Sequence, residues 1–290
     1  MNSQVSCIIP VYNEPLEVVH NTIRELKQGF AAANHDAFEI IVVNDGSDPA
    51  FDYQSIATQD RCCLIRYRTN RGYGGAIKEG MLHAQGDWIL ITDADGTYPN
   101  RDVGQFLSRA DENEMLIGLR IPEQGAVPLT KRIAKGILKF LASRVTGKSI
   151  PDLNSGMRLF KKELGMEYYH LYPNGFSLTT TITVAAMNDD RDVEFIPIPY
   201  AKRMGKSKIS VLDFISFLVL IARMLTYFKP LHVFLPISLF LMLLSGIKLG
   251  IDYTQQGHLG IGAGLIFLAS FQLMLNGFIA DAMISYSRRR

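Results

Sequence analysis

Along the N-terminal part of the chain, short runs of β-branched and aromatic residues alternate with stretches in which apolar positions recur at intervals of three and four. Val5 to Val11, Phe38 to Val43, Leu64 to Tyr67, Trp88 to Thr92 and Met115 to Leu119 are the expected strands. Between the first two, Val19, Ile23, Leu26 and Phe30 fall at spacings of four, three and four, one face of a helix opened by Pro15. Strand, helix and strand in repetition predict an α/β fold with a mostly parallel sheet covered on both faces. Ligands of such sheets gather beyond the carboxyl ends of the strands. Three polar clusters follow expected strands here, Tyr12-Asn-Glu14, Asn44-Asp-Gly-Ser47 and Asp93-Ala-Asp95, and are expected to line one cleft.

The pattern changes toward the C-terminus. Lys131 to Thr146 reads as a basic amphipathic helix, with Ile133, Ile137, Leu141 and Val145 along one stripe; it suits either packing on the core or contact with anionic headgroups. Residues 1–209 are expected to form the α/β domain. Val211 to Phe228 is apolar but carries Asp213 and Arg223, so residues 210–230 are expected to lie along a membrane interface. Residues 231–290 hold two longer apolar stretches, Leu231 to Ile251 and Leu259 to Ile284. Each reaches the roughly 20 residues needed to cross a bilayer, and the short loop Asp252 to His258 makes them a transmembrane hairpin. That loop has no Lys or Arg, whereas Lys202, Arg203, Lys206, Lys208 and Lys229 precede the hairpin and Arg288 to Arg290 follow it. Both flanks, and with them the catalytic domain and C-terminus, are therefore expected on the cytoplasmic side of an integral membrane protein, the inner or plasma membrane if bacterial. Lys248 is a misfit inside the first span that snorkelling would relieve. Gln272, Asn276 and Asp281 share a face of the second span, suited to the first span or to a neighbouring copy in a homo-oligomer.

Composition adds less than position. Of 290 residues 48% are hydrophobic and 20% charged, and the net charge of +2 lacks the basic excess of a nucleic-acid-binding domain. Three cysteines, Cys7, Cys62 and Cys63, give no disulfide or zinc spacing, which fits a reducing compartment. The N-terminal apolar run is short, stopped by Pro10 and without a basic leader, unlike a secretory signal.

Asp93 and Asp95 flank one alanine at the end of a strand, and Gly96-Thr-Tyr-Pro99 turns the chain away. Two hard carboxylates so placed suit Mg2+ or Mn2+ bridged to a diphosphate, in preference to zinc. By itself the pattern is weak, because loops rich in Asp, Gly and Pro are often only turns. It keeps specific company, however: Ile8-Ile-Pro-Val-Tyr-Asn-Glu14, Ile41-Val-Val-Asn-Asp-Gly-Ser47, Asn70-Arg-Gly-Tyr-Gly-Gly-Ala76, Asn154-Ser-Gly-Met-Arg-Leu-Phe160 and Tyr200-Ala-Lys-Arg-Met-Gly-Lys-Ser-Lys208. With these motifs the sequence resembles the family 2 glycosyltransferases of GT-A fold. Within them it is similar to the group of dolichyl-phosphate mannose synthases and undecaprenyl-phosphate glycosyltransferases.

The resemblance implies a hexosyltransferase that moves a sugar from a GDP- or UDP-linked donor to a polyprenyl phosphate at the bilayer, with inversion. It places Pro10, Tyr12, Glu14, Asp45, Gly72, Ala94, Arg120 and Ser207 around the nucleotide sugar, with Asp93 and Asp95 holding the metal on its diphosphate. Arg158, Arg203 and Lys208 are implied near the phosphates, and Asp152 is the usual position of a general base. A carboxylate such as Asp45 can accept from a base or a ribose, although turn formation is the alternative for Asp45 and for Glu14. For Arg158 the alternative is a salt bridge to Asp152. A phosphate acceptor, whose second pKa is near 6, is a nucleophile already at neutral pH. Asp152 is accordingly expected to orient Arg158 or the acceptor, and to act as a base only secondarily. The glycines of Arg71 to Gly80 are expected to permit close approach to the donor.

Two departures stand out: Thr97 replaces the glutamine of the best-known mannose synthases, weakening any claim to mannose, and Thr179-Thr-Thr181 occupies a place where many relatives carry an acid. Other readings compete. A processive polysaccharide synthase would carry a Gln-x-x-Arg-Trp pattern, whereas the sole tryptophan is Trp88. Transfer to the hydroxyl of a membrane glycolipid or saccharide would need Asp152 as a true base. A catalytically silent nucleotide-sugar-binding scaffold would not need Asp93 and Asp95.

Overall fold

The computed structural model describes residues 3–122, 136, 143, 146–175, 177–201, 219, 222, 225–257 and 260–287. The chain divides into two compact units, Met1–Phe217 and Leu218–Arg290.

The first unit is built on a seven-stranded sheet whose strands are β1 (Val5–Val11), β2 (Phe38–Asn44), β3 (Cys63–Arg66), β4 (Trp88–Ile91), β5 (Met115–Pro122), β6 (Arg158–Lys161) and β7 (Val193–Tyr200), in the order β3-β2-β1-β4-β6-β5-β7. β1 to β4 are parallel, β6 runs against β4 and β5, and β7 is parallel to β5. Six strands thus present their carboxyl ends at one edge, and β6 presents its N-terminus there.

Burial explains the patterning. β1 and β2 are apolar on both faces because both faces are covered: Cys7 and Ile9 pack with Val19, Ile23, Leu26 and Phe30 of α1 (Leu16–Ala32), all fully buried. Ile8 points the other way, toward α3 (Tyr73–His83), and lies so near Gly80 that a Cβ there would be 2.5 Å from its Cγ2. A short helix α2 (Gln54–Gln59) precedes β3, and α4 (Leu178–Asn188) is buried from Leu178 to Met187.

The expected strands are all present, within a residue or two at each end except β5, which extends to Pro122. β6 and β7 were not anticipated. β6 is hidden in the Asn154 to Phe160 motif, and four residues are too few to display a period. β7 contains Pro197 and Pro199, which argue against a central strand; they are tolerated because β7 pairs only with β5 and forms the sheet edge.

In the second unit, α5 (Pro230–Gln256) and α6 (Ile261–Ser287) are both long and apolar enough to cross a membrane. The hairpin is longer than expected. Asp252 lies inside α5, and the chain reverses at Gly257, which has the positive φ of 68° favoured by glycine. Lys248 is correspondingly reassigned: its Nζ sits 3.1 Å from Asp252 one turn on, an ion pair of the hairpin itself. The seam is lined by small residues, as lipid-embedded helices require. Ser238, Ser245, Ala263 and Ser270 are fully buried, and the Ser245 hydroxyl donates to the Ala263 carbonyl at 2.8 Å. Gln272 and Asn276 are exposed on the hairpin, so they do not serve the contact with the first span that their spacing suggested. The amphipathic helix over 131–146, most of the interface helix over 211–228 and the terminal arginines lie outside the described residues.

Candidate active site

Sequential strands leave β1 in opposite directions, β2 on one side and β4 on the other, and the crevice above this reversal is where open α/β sheets hold ligands. The loops after β1, β2 and β4 meet there. Asn13, in the left-handed region at φ 56°, donates its N–H to the Ser47 hydroxyl (3.0 Å) and accepts from the Asp48 N–H (2.8 Å). The Tyr53 hydroxyl donates to the Glu14 carbonyl at 2.7 Å and accepts the Glu14 N–H. Pro10 is the one partly exposed residue of β1, Val11 after it is buried, and Tyr12 stands 41% exposed just beyond the strand.

Asp45 is buried, and its two carboxylate oxygens each accept a backbone N–H, from Arg71 and from Gly72, both at 2.8 Å. Burial raises its pKa above the usual carboxylate range, and those two bonds offset part of the rise. Asp45 therefore anchors the 70–72 loop. Each oxygen retains a second lone pair for a ligand. The glycines of this loop also have a packing role. Gly72 (φ 88°) and Gly74 approach the Pro173–Gly175 segment so closely that a Cβ would lie 2.5 Å from the Asn174 carbonyl oxygen and 2.2 Å from that of Pro173. Glycine here permits protein to pack on protein, and the Gly75 N–H donates to the Asn174 carbonyl at 3.0 Å.

Asp93 and Asp95 follow β4, separated by the buried Ala94. Asp95 Oδ1 accepts from the Thr97 N–H (3.1 Å) and hydroxyl (2.6 Å), so the residue that departs from the mannose-synthase pattern orients this carboxylate. The Asp93 carboxylate lies against Gly156, where a Cβ would be 2.6 Å from Oδ2. Gly156 is held in turn by its N–H to the buried Tyr98 hydroxyl at 2.6 Å. Burial, and secondarily the Asp93 charge, raise the Tyr73 and Tyr98 phenols well above their ordinary value, so both remain neutral. Among the described residues no three His, Cys, Asp or Glu side chains gather as a closed metal cage. Two partly buried carboxylates with oxygen-only donors fit Mg2+ or Mn2+, which take one or two carboxylates and complete their shell with phosphate and water.

Beside this pair, Arg120 of β5 grips Asp152 with two parallel bonds, Nε to Oδ2 at 2.7 Å and the second amino group to Oδ1 at 2.8 Å. Asn154 N–H also reaches Asp152, and the guanidinium lies 5.2 Å from the Tyr200 ring, itself edge-on to Tyr98. Burial would raise the Asp152 pKa, but the hydrogen bonds and charge of Arg120 outweigh it and hold the group below its usual value. The expected Asp152–Arg158 pairing is thus replaced by Asp152–Arg120.

Arg158 is wholly buried. Its guanidinium donates to the carbonyls of Thr179 (2.8 Å) and Ser155 and to the Thr183 hydroxyl (3.2 Å). This corrects its expected place at a substrate phosphate, since its terminal nitrogens face protein oxygens and none of its surface is exposed. Of the threonines after Ser177, Thr180 acquires a side-chain reason, its hydroxyl donating to Asn154 Oδ1 at 2.8 Å, whereas Thr179 receives Arg158 through its backbone carbonyl. Tyr73, Thr97, Tyr98, Gly156 and Tyr200 are site residues that sequence reasoning did not single out as such, although each sits in a quoted motif. Arg203, Ser207 and Lys208 lie outside the described residues.

Comparisons agree with this architecture. The C-terminal unit matches the family described as GtrB C-terminal hairpin over residues 229–285. Similar proteins include an undecaprenyl-phosphate 4-deoxy-4-formamido-L-arabinose transferase of Enterobacter sp., 26% identical over 96% of this chain and 87% of that protein. A transferase of the same name from Salmonella dublin is 29% identical over 73% of this chain and 64% of its own length. Among solved structures, glucosyl-3-phosphoglycerate synthase from Mycobacterium tuberculosis, in complex with Mn2+, UDP and phosphoglyceric acid, covers 77% of this chain and 78% of its own with a TM-score of 0.55 at 14% identity. At that identity the likeness concerns the GT-A fold. Residues 6–168, more than half of the chain, match the family described as Glycosyl transferase family 2, and the chain is a membrane-anchored glycosyltransferase that belongs to it.

Proposed function

We propose that the chain transfers a sugar from a nucleotide-diphosphate donor to a polyprenyl phosphate, with divalent-metal dependence and inversion at the anomeric carbon. The observation that carries this reading is that Asp93 and Asp95, after β4, and the Arg120–Asp152 pair, at the end of β5, share the carboxyl edge of one sheet, in a chain that also has two helices long and apolar enough to cross a membrane. The undecaprenyl-phosphate transferases among its relatives support the acceptor class.

Asp93 and Asp95 would hold Mg2+ or Mn2+, which neutralises charge on the departing diphosphate. Tyr12 and Glu14 flank the nucleoside side, with Asp45 fixing the 70–72 loop beneath it. Arg120 presents its guanidinium to the acceptor phosphate, a planar fork suited to phosphate oxygens, and Asp152 positions that fork. Arg203, Ser207 and Lys208 add donors and charge for the phosphates. An acceptor phosphate oxygen attacks the anomeric carbon as the bond to the donor's β-phosphate breaks. The nucleophile is ionised near pH 7, so positioning serves better than deprotonation. Asp152, depressed and doubly bonded, is poorly suited to take a proton, which disfavours a hydroxyl acceptor. Catalysis on the cytoplasmic side follows from the flanking Lys and Arg residues.

The test is transfer by the purified full-length chain in detergent, with a panel of labelled UDP- and GDP-sugars, undecaprenyl or dolichyl phosphate, and Mg2+ or Mn2+. Lipid-linked monosaccharide supports the reading. Label passing only to glycolipid hydroxyls, or binding without transfer, refutes it.

A further inference from the structure

The segment from Asp152 to Gly156 joins the two charged groups of the site. At one end Asp152 holds the Arg120 guanidinium. At the other, Gly156 lies against the Asp93 carboxylate, where a Cβ would fall 2.6 Å from Oδ2. Asn154 is the residue midway. Its backbone N–H donates to Asp152 Oδ1 at 3.1 Å, the same oxygen that accepts an Arg120 amino group at 2.8 Å. Two donors that share one oxygen atom are close neighbours, so Asn154 stands beside the guanidinium. Asp152 engages two of the five N–H groups of that guanidinium, and others remain for a substrate oxygen.

The Asn154 side chain has one end fixed. The hydroxyl of Thr180, buried in the first turn of α4, donates to Asn154 Oδ1 at 2.8 Å. That bond engages the acceptor end of the amide and leaves the Nδ2 end, which only donates. Nδ2 has no hydrogen-bond partner among the described residues, and Asn154 is half-buried, so this end stays open to solvent. A tie to α4 alone would be served equally by aspartate, whose carboxylate also accepts from a hydroxyl. Aspartate would, however, add a third negative charge between Asp93 and Asp152, where two anionic substrates have to meet. Asparagine makes the same bond, adds no charge and keeps two N–H groups available.

We propose that Asn154 binds the acceptor phosphate: its Nδ2 donates to a non-attacking oxygen of the phosphate held on Arg120, and Thr180 is the positioning residue that fixes the amide for this contact. The proposal rests on the reading of the chain as a polyprenyl-phosphate glycosyltransferase and adds a determinant of acceptor class to it. A phosphate monoester has three acceptor oxygens, enough to engage the guanidinium and the amide while one attacks the anomeric carbon. An alcohol has a single oxygen and cannot fill both. The threonine run of α4 thereby gains a part in choosing the substrate, through Thr180.

The experiment measures initial rates of sugar transfer by the purified full-length chain in detergent, varying polyprenyl phosphate and sugar donor separately. Asn154→Ala removes the amide, and Asn154→Asp keeps its shape and the bond from Thr180 but puts an anion in place of the donor. Both are expected to raise KM for the lipid about ten-fold or more, the scale for losing a hydrogen bond to a charged group, with KM for the sugar donor little changed. Thr180→Val frees the amide without removing it and is expected to raise the lipid KM about five-fold, whereas Thr180→Ser, which keeps the hydroxyl, restores it. Thr181→Val removes the next hydroxyl, which bonds the Ser177 carbonyl at the start of α4, and is expected to leave both KM values unchanged. If the unaltered chain makes no lipid-linked sugar, the functional reading falls and the proposal with it. If it does, and Asn154→Ala and Thr180→Val keep the unaltered lipid KM, the functional reading stands and the role of Asn154 is refuted. A rise confined to Asn154→Asp also refutes it, because an added charge repels any anion. A parallel rise in both KM values, or an equal rise in Thr181→Val, overturns it as well, since the effect is then general loosening.

Discussion

The sharpest prediction concerns Asp152→Asn. In the folded chain Asp152 receives both arms of Arg120 at 2.7 and 2.8 Å, and the side chains of Arg120 and Asp152 are 22% and 13% exposed. Breaking a fully buried pair costs about 3–5 kcal/mol. Water screens part of this pair, and asparagine still accepts one bond, so a loss of about 2 kcal/mol is expected, or roughly 4–8 °C in Tm for a domain of this size. The folded-state pKa of Asp152 is depressed. Its contribution to stability is therefore fully present above the unfolded value of about 3.9 and is lost as pH falls through the folded value; the substitution should remove that acid sensitivity. Catalysis separates the two roles more cleanly. If Asp152 only positions Arg120, kcat/KM for the lipid acceptor falls by about ten-fold. The acid limb of the rate profile stays near pH 6, set by the acceptor's second ionisation. At pH 5 only about one acceptor phosphate in eleven is then doubly ionised, so both proteins run roughly ten-fold below their plateau. A general base instead contributes up to about 10⁴-fold, while its own limb, set by the lowered Asp152 pKa, would lie below the assayed range and leave the acceptor's limb in place. Transfer of labelled sugar to polyprenyl phosphate between pH 5 and 9 decides the matter. A loss of about 10⁴ across this range would refute the positioning role.

Asp93→Ala is expected to lower turnover by at least about 10²-fold, the scale for removing one centre of electrostatic stabilisation, while Trp88 fluorescence and Tm stay close to those of the unaltered chain. Gly74→Ala places a methyl 2.2 Å from the Pro173 carbonyl oxygen and 2.8 Å from that of Gly175, both backbone atoms. It should cost about 2–3 kcal/mol and lower Tm by roughly 5–10 °C, and an unchanged thermal scan would show that the segment moves aside freely. Lys248→Leu leaves the buried Asp252 carboxylate without its cation. Loss of far-UV helicity should then begin at lower SDS than in the unaltered chain, and adding Asp252→Asn should restore it.

The amino-acid sequence determined the features that follow from local pattern. Strands β1 to β4 and helix α1 are legible because apolar runs and a 3.6-residue period are properties of neighbouring residues. The hairpin is legible because crossing hydrocarbon is a matter of length and composition. Asp93 and Asp95 were legible as candidates through the motif that contains them, and Arg120 and Asp152 through the family resemblance. Tertiary structure alone decided which side chain meets which. Asp152 and Arg158 are only six residues apart, yet Asp152 pairs with Arg120, because β6 runs against β5 and carries the Arg158 side chain into the interior toward α4. The glycines at 72 and 74 read as room for a ligand, and the room is taken by the Pro173–Gly175 backbone, a contact between segments about a hundred residues apart. Periodicity encodes which face a residue takes. Partner choice depends on strand order and register, which a single sequence specifies only once the whole sheet has formed.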